Sequence, residues 1–84
     1  LYSIVYAKSV KKDIKKIEAS ELKKIKKRIE SLIDFPDVKN TKKLTNHPVA
    51  DFRLKIGNYR VLFDLDKKHN TINILKIGHR KEIY

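Results

Sequence analysis

The sequence predicts an α+β domain in the order β-α-α-β-β-β, with a helix hairpin packed on one face of a mainly antiparallel four-stranded sheet. Three observations carry this. Apolar residues recur at helical spacing between Val10 and Leu32, alternate with charged residues at strand spacing from Asp51 to Leu65, and fill both faces of a last run from Ile72 to Ile77. No repeat, linker or low-complexity tract interrupts the 84 residues, so residues 1–84 read as a single domain with one core.

Tyr2 to Tyr6 is a short β-rich run, and Ser9 after it suits a helix N-cap. Val10, Ile14 and Ile17 begin a helical stripe whose continuation would bury Glu21 and Lys24. The apolar set instead restarts as Leu22, Ile25, Ile29 and Leu32. The phase break near Ala19 and Ser20 therefore divides two helices, the second ended by the turn at Phe35, Pro36 and Asp37. Their lysines fit the solvated face of an amphipathic pair, or else a docking surface for a bulky polyanion. Residues 37 to 48 form a polar loop with Lys39, Lys42 and Lys43, closed by Pro48. Phe52, Leu54 and Ile56 then alternate with Asp51, Arg53 and Lys55. After a tight turn at Gly57 and Asn58, Tyr59, Val61, Phe63 and Leu65 alternate with Arg60, Leu62 and Asp64. Ile72, Ile74, Leu75 and Ile77 lie on both faces of the last strand, as in a more buried one.

Composition narrows the function. Twenty-one Lys and Arg against ten Asp and Glu leave a formal charge of +11, which favours a polyanionic partner: nucleic acid first, then an acidic protein or an anionic membrane. The absence of cysteine excludes disulfides and thiolate metal sites. The apolar start is too short for a signal or membrane-spanning segment, so the chain reads as soluble and cytoplasmic. There is no phosphate-binding glycine loop, HExxH or plausible triad, and His47, His69 and His79 lack metal-ligand spacing. No metal or cofactor is expected.

A two-residue turn at Gly57 and Asn58 would pair Ile56 with Tyr59, Lys55 with Arg60, Leu54 with Val61 and Arg53 with Leu62. The apolar side chains then share one face, while Arg53, Lys55 and Arg60 share the other. Lys55 and Arg60 stand opposite each other at about 5 Å between β-carbons. An anion over the pair relieves their repulsion; neutralisation by Asp51, Asp64 or Asp66 is the structural alternative. Gly78 marks a bulge or a close backbone approach. Arg80 and Tyr84, four apart, share a side, whereas His79 in a regular strand points the other way unless a bulge at Gly78 brings it in.

These residue types suit cleavage of RNA by its own 2′-hydroxyl, which needs a base, fixed positive charge for the phosphorane and an acid for the departing 5′ oxygen. It needs no metal. Lysine is a poor base at neutral pH, but crowding by other cations disfavours its charged form. Tyr84 could stack on a splayed base and hold the scissile phosphate in line.

The stretches "FRLKIGNYRVLFDLD" and "INILKIGHRKEIY" resemble the RelE branch of the RelE/ParE toxin superfamily, small toxins of toxin-antitoxin pairs, and the order of elements agrees along the whole chain. RelE toxins are similar in fold to small microbial ribonucleases and cleave mRNA in the ribosomal A site. The resemblance thus implies a ribosome-dependent endoribonuclease that inhibits translation and is neutralised by a RelB-like antitoxin. By position, Lys55 corresponds to the general base, Arg60 to the transition-state stabiliser, Arg80 to the proposed general acid and Tyr84 to the stacking tyrosine. Arg53, Lys42, Lys43, His79 and Lys81 would contact RNA, with His79 a rival for proton transfer. The ParE branch shares the fold but poisons DNA gyrase and generally lacks the full basic and tyrosine set. A gyrase-inhibiting toxin and a non-enzymatic RNA-binding module are the alternatives.

Overall fold

The computed structural model describes residues 1–83. Its elements are β1 (Ser3–Tyr6), α1 (Val10–Lys15), α2 (Ala19–Glu30), a 3-10 turn (Ser31–Asp34), β2 (Thr41–Lys43), β3 (Phe52–Ile56), β4 (Tyr59–Asp66), β5 (Thr71–His79) and a terminal helical turn, α3 (Arg80–Ile83). The class is the expected one. The sheet has five strands rather than four, in the order β1-β5-β4-β3-β2. The added strand, β2, comes from the supposed loop: three residues, two of them lysine, are too few to show a period of two. β1 runs parallel to β5, and the other neighbours are antiparallel.

The helix break falls at residues 16–18, just before the break expected near Ala19 and Ser20, which instead open α2, and each helix turns its apolar stripe to the sheet. Val10, Ile25, Ile29 and Leu32 meet Leu54, Val61, Phe63, Ile72, Ile74 and Ile77 in one core. Phe35 closes its end, set edge-on to Phe52 and Phe63, which stack on each other with ring centres 5.5 Å apart.

β5 is the strand on which the other parts converge. β1 accompanies it only as far as Ile74, whose carbonyl accepts from the Ala7 N–H at 2.9 Å. Beyond that point α1 covers the edge with side chains: Ser9 Oγ donates to the Leu75 carbonyl and Asp13 Oδ2 accepts from the Ile77 N–H, both at 3.0 Å. Ser9 stands at the helix N-cap position but makes no side-chain cap bond there. Its hydroxyl is engaged by the sheet edge, which has no other strand at that position.

The β4–β5 ladder shifts between Leu62 and Phe63, leaving Leu75 as the unpaired extra residue. This bulge explains the mixed pattern of the last strand: Ile72 and Ile74 precede the phase change and Ile77 follows it, so all three reach the main core while Leu75 packs on the opposite side. The bulge lies there and not at Gly78, which keeps a regular pair with Arg60.

Asp13 replaces an absent strand at the Ile77 amide. Asp13→Ala is expected to lower unfolding stability by about 1–3 kcal/mol, the range for stranding a buried partner of a charge-assisted bond. Asp13→Asn, which keeps an acceptor, should lose less. Urea titration measures both, and an alanine variant as stable as the parent would show that this edge needs no cap.

Candidate functional site

The face of the sheet away from the helices is set by the β3–β4 register. Ile56 pairs with Tyr59, Lys55 with Arg60, Leu54 with Val61 and Arg53 with Leu62, as the two-residue turn requires, and Gly57 supplies the turn's positive φ of 56°. Adjacent pairings extend each row across the sheet. One row reads Lys42, Arg53, Leu62, Lys76; the next holds Lys55, Arg60 and Gly78. Lys42 thus leaves its expected loop and stands directly across from Arg53. Lys43, its neighbour in β2, points to the other side by strand alternation.

The two central cations are held differently. Arg60 is 9% exposed, and its Nη1 donates to the Gly57 and Tyr59 carbonyls at 2.9 and 3.0 Å, so the hairpin turn fixes its guanidinium. Lys55, opposite, is exposed. Arg53 is half-buried, with Nη1 shielded and lacking a hydrogen-bond partner. Among the described residues none of Lys42, Arg53, Lys55, Arg60 and Lys76 is in an ion pair. None of the carboxylates expected to neutralise them is paired with them, and two are engaged elsewhere. Asp64 accepts from the Asp51 N–H at 2.7 Å. Asp66 is bonded to both the ring and the backbone N–H of His69, bonds that hold its carboxyl below the ordinary carboxylate range. Asp64 also lies four residues along β4 from Arg60, about 13 Å at the rise of a strand. The face is therefore polarised, cationic at the Gly57 end and acidic at the other.

The terminal motif joins the cationic end. The Arg80 N–H donates to the Asn58 carbonyl at 2.8 Å, and the Arg80 and Lys81 side chains are exposed beside the hairpin turn. His79 stays on the helix side: it pairs with Tyr59, their rings are edge-on at 5.8 Å, and its Nδ1 accepts from the Lys81 N–H at 3.3 Å. With no bulge at Gly78, His79 is not brought to the Lys55 face. It lines instead a cavity of about 280 Å³ with Asp13, Lys16, Ile17, Tyr59 and Glu82. Tyr84 lies outside the described residues.

Gly78 serves the site by omission. A Cβ there would stand 3.3 Å from Ile83 Cδ1, so its bare backbone makes room for α3 to fold over the sheet. Ile83 enters a second small core with Leu62 and Ala50, against Leu44 and Leu75. Sequence reading did not identify this cluster or Lys76. Both depend on the bulge at Leu75, which no local residue pattern announces. Among the described residues no cluster of His, Asp and Glu could hold a metal ion, and no helix is long and apolar enough to cross a membrane.

A mainly antiparallel five-stranded sheet backed by two helices, with an open basic face and a terminal turn folded onto it, is the architecture of the small toxins of toxin-antitoxin pairs. A family model described as "ParE toxin of type II toxin-antitoxin system, parDE" matches residues 4–84. The chain is 33% identical to Toxin RelE3 of Methanocaldococcus jannaschii over 96% of its length and 93% of that protein's. It is 37% identical to Toxin RelG of Mycobacterium tuberculosis over 43 residues, 51% of this chain and 49% of RelG. The toxin in a crystallised RelB-RelE antitoxin-toxin complex from Methanococcus jannaschii superposes with a TM-score of 0.76 at 28% identity, over 95% of this chain and 94% of that one. The chain belongs to the RelE/ParE family of type II toxins, and these relatives lie on its RelE branch.

Ile83 should act as the fastener of the terminal turn. In Ile83→Ser, trypsin is expected to cut after Arg80 and Lys81 at least tenfold faster than in the parent, while the main core, which Ile83 does not enter, still melts cooperatively. Fraying of this kind follows from removing the one buried side chain of a four-residue helix. Cutting at the parent rate would show that other contacts hold the turn.

Proposed function

We propose that the protein is a metal-independent endoribonuclease that cleaves mRNA on the ribosome, acts in the cytoplasm and is held inactive by a cognate antitoxin. The observation that carries this reading is the directly opposed Lys55 and Arg60, without a carboxylate counterpart, at the end of the sheet where Arg80 is anchored. Like charges about 4 Å apart repel by about 1 kcal/mol even in water, and a phosphate between two such cations reverses the sign. RelE names among the relatives support the same activity, and the similar Methanococcus jannaschii toxin was solved in complex with its antitoxin.

In this reading Lys55, exposed to solvent, takes the 2′ proton. Arg60, fixed by two carbonyls, presents stationary charge to the phosphorane, where preorganised donors are most effective. Arg80 stabilises or protonates the departing 5′ oxygen, and Tyr84 stacks on a displaced base. Arg53 and Lys42 continue the basic row and steady the strand on one side of the scissile bond, with Lys81 adding nearby charge, whereas Lys43 points to the other side of the sheet and takes no part. His79, on the other side of the sheet, has no role in the proton transfers. An antitoxin that places acidic residues against Arg53, Lys55, Arg60 or Arg80 would mask the site.

Arg80→Ala should lower single-turnover cleavage of a short mRNA on saturating ribosomes by about a hundredfold, since interactions realised mainly in the transition state carry roughly 3 kcal/mol. Lys67→Ala, exposed in the β4–β5 turn, controls for loss of charge alone and should cleave nearly normally at saturation. Equal modest losses would remove Arg80 from the chemistry. The family model's ParE description favours gyrase as a second target. Gyrase-linked DNA breaks without new mRNA 5′ ends, on producing the protein, would decide for it.

A further inference from the structure

The cavity at the end of β5 is left unused by the sheet-face chemistry. It lies where β1 no longer covers β5, between α1 and α3, and encloses about 280 Å³. Its walls are chemically mixed. Tyr59 and His79, both half-buried with their rings edge-on, supply aromatic surface. Asp13 and Glu82 supply acceptors, and Lys16 and Lys76 supply donors. Asp13 Oδ2 is taken by the Ile77 N–H. Among the described residues the Glu82 carboxylate has no ion pair, although Arg80 and Lys81 precede it in α3.

Glu82 also reaches the face proposed for cleavage. Its Oε2 stands 3.8 Å from where a Gly78 Cβ would be, and Gly78 pairs with Arg60. One carboxylate thus belongs to both places. The passage between them is the bare backbone of Gly78, about one strand spacing, 4.8 Å, from that of Arg60.

The occupant follows from this set of groups. A phosphate is repelled by the two carboxylates, and an apolar group would strand the four charged side chains. An arginine from a partner protein suits the carboxylates and the rings but meets Lys16 and Lys76. A neutral planar group with donors on one edge and acceptors on another satisfies all of them. Guanine has two adjacent donors, N1–H and the N2 amino group, to match two carboxylate oxygens, and its O6 and N7 accept from lysine. Adenine, cytosine and uracil each offer a single donor group on the corresponding edge.

We propose that the cavity is a guanine pocket. Glu82 accepts from the Watson–Crick edge of a base flanking the scissile phosphate, and Tyr59 and His79 wall the plane of that base. The proposal rests on the reading of the protein as an mRNA endonuclease and makes Glu82 a specificity-determining residue of that site.

The test separates recognition from cleavage with single-stranded RNAs of about six nucleotides, 2′-O-methylated so that they bind without being cut. They share a pyrimidine background and differ at one central position, which is guanine, inosine or adenine. Binding is followed by fluorescence anisotropy at constant salt. The parent should bind the guanine RNA at least about tenfold more tightly than the adenine RNA, as a bidentate pair implies, with inosine, which lacks the 2-amino group, in between. In Glu82→Gln the three affinities should fall within about threefold of one another, whatever uniform gain follows from removing a negative charge. Lys55→Gln should keep the preference while losing cleavage. On ribosomes, new mRNA ends should cluster beside guanine for the parent and lose that bias in Glu82→Gln.

Equal binding of the three RNAs by the parent, or a preference that survives in Glu82→Gln, would overturn the proposal. So would release of the guanine RNA by N-acetylarginine amide at concentrations where the lysine analogue has no effect, because the cavity would then be a socket for a partner protein's arginine. A Glu82-dependent preference for guanine in a protein that cuts no mRNA would uphold the pocket and refute the enzymatic reading. Normal cleavage without base preference would refute the pocket alone.

Discussion

The register of β3 against β4 is the constraint on which the rest of the molecule depends. Because side chains alternate with period two, a slip of β3 by one residue would carry Arg53 and Lys55 into the layer now occupied by Leu54, and bring Leu54 to water. Burying one guanidinium and one ammonium group unpaired would offset most or all of the stability of a domain this size. The turn enforces the same choice locally, since Gly57 at φ +56° supplies the left-handed residue that a two-residue connection needs. Core and cationic face are therefore consequences of one pairing. The helices have a surface to pack on for the same reason that the opposite face collects positive charge.

β5 then converts this two-faced ribbon into a site. Its bulge at Leu75 lets Ile72, Ile74 and Ile77 reach the main core and directs Leu75 to the other side, where Leu62 and Ile83 complete a small second core. That patch separates the cationic end of the open face from the acidic end at Asp64 and Asp66. It also fixes where the chain goes after Gly78. α3 is short enough to fray unless it is held, and Ile83 holds it while the Arg80 amide remains bonded to the hairpin turn. The arginine is thus placed by packing two to three residues away rather than by an ion pair of its own.

What could be read from the residues follows these physical lines. The hairpin was legible because its alternation and its turn specify the same register, and the helix break because burying Glu21 and Lys24 was the alternative. β2 was not legible: Thr41–Lys43 has no apolar member and becomes a strand only because β3 offers it an edge. The covering of β5 by Ser9 and Asp13 was equally hidden, since those side chains satisfy groups more than sixty residues away. Ser9 looked like a cap because caps are local, and the need it meets is long-range. Gly78 was recognised as a place of close approach, but its visitor is a side chain, Ile83, and the bulge lies three residues earlier.

A family description naming ParE and relatives named RelE are compatible, because the fold is common to both branches and does not choose a target. The choice lies in how the open face treats neighbouring cations. A surface that only attracts a polyanion has no reason to tie one member to the backbone and leave the next exposed to solvent. Here the Arg60 guanidinium is tied to two carbonyls of its own turn, whereas Lys55, directly across, stays in solvent. Stationary charge is what a developing phosphorane requires, since a donor already in place need not reorganise as charge appears. A proton carrier has the opposite need: it must reach its hydroxyl and exchange with water between turnovers. The unequal restraint of two adjacent cations therefore bears on the division of labour proposed for them. The charge that should stay fixed is the one the backbone holds.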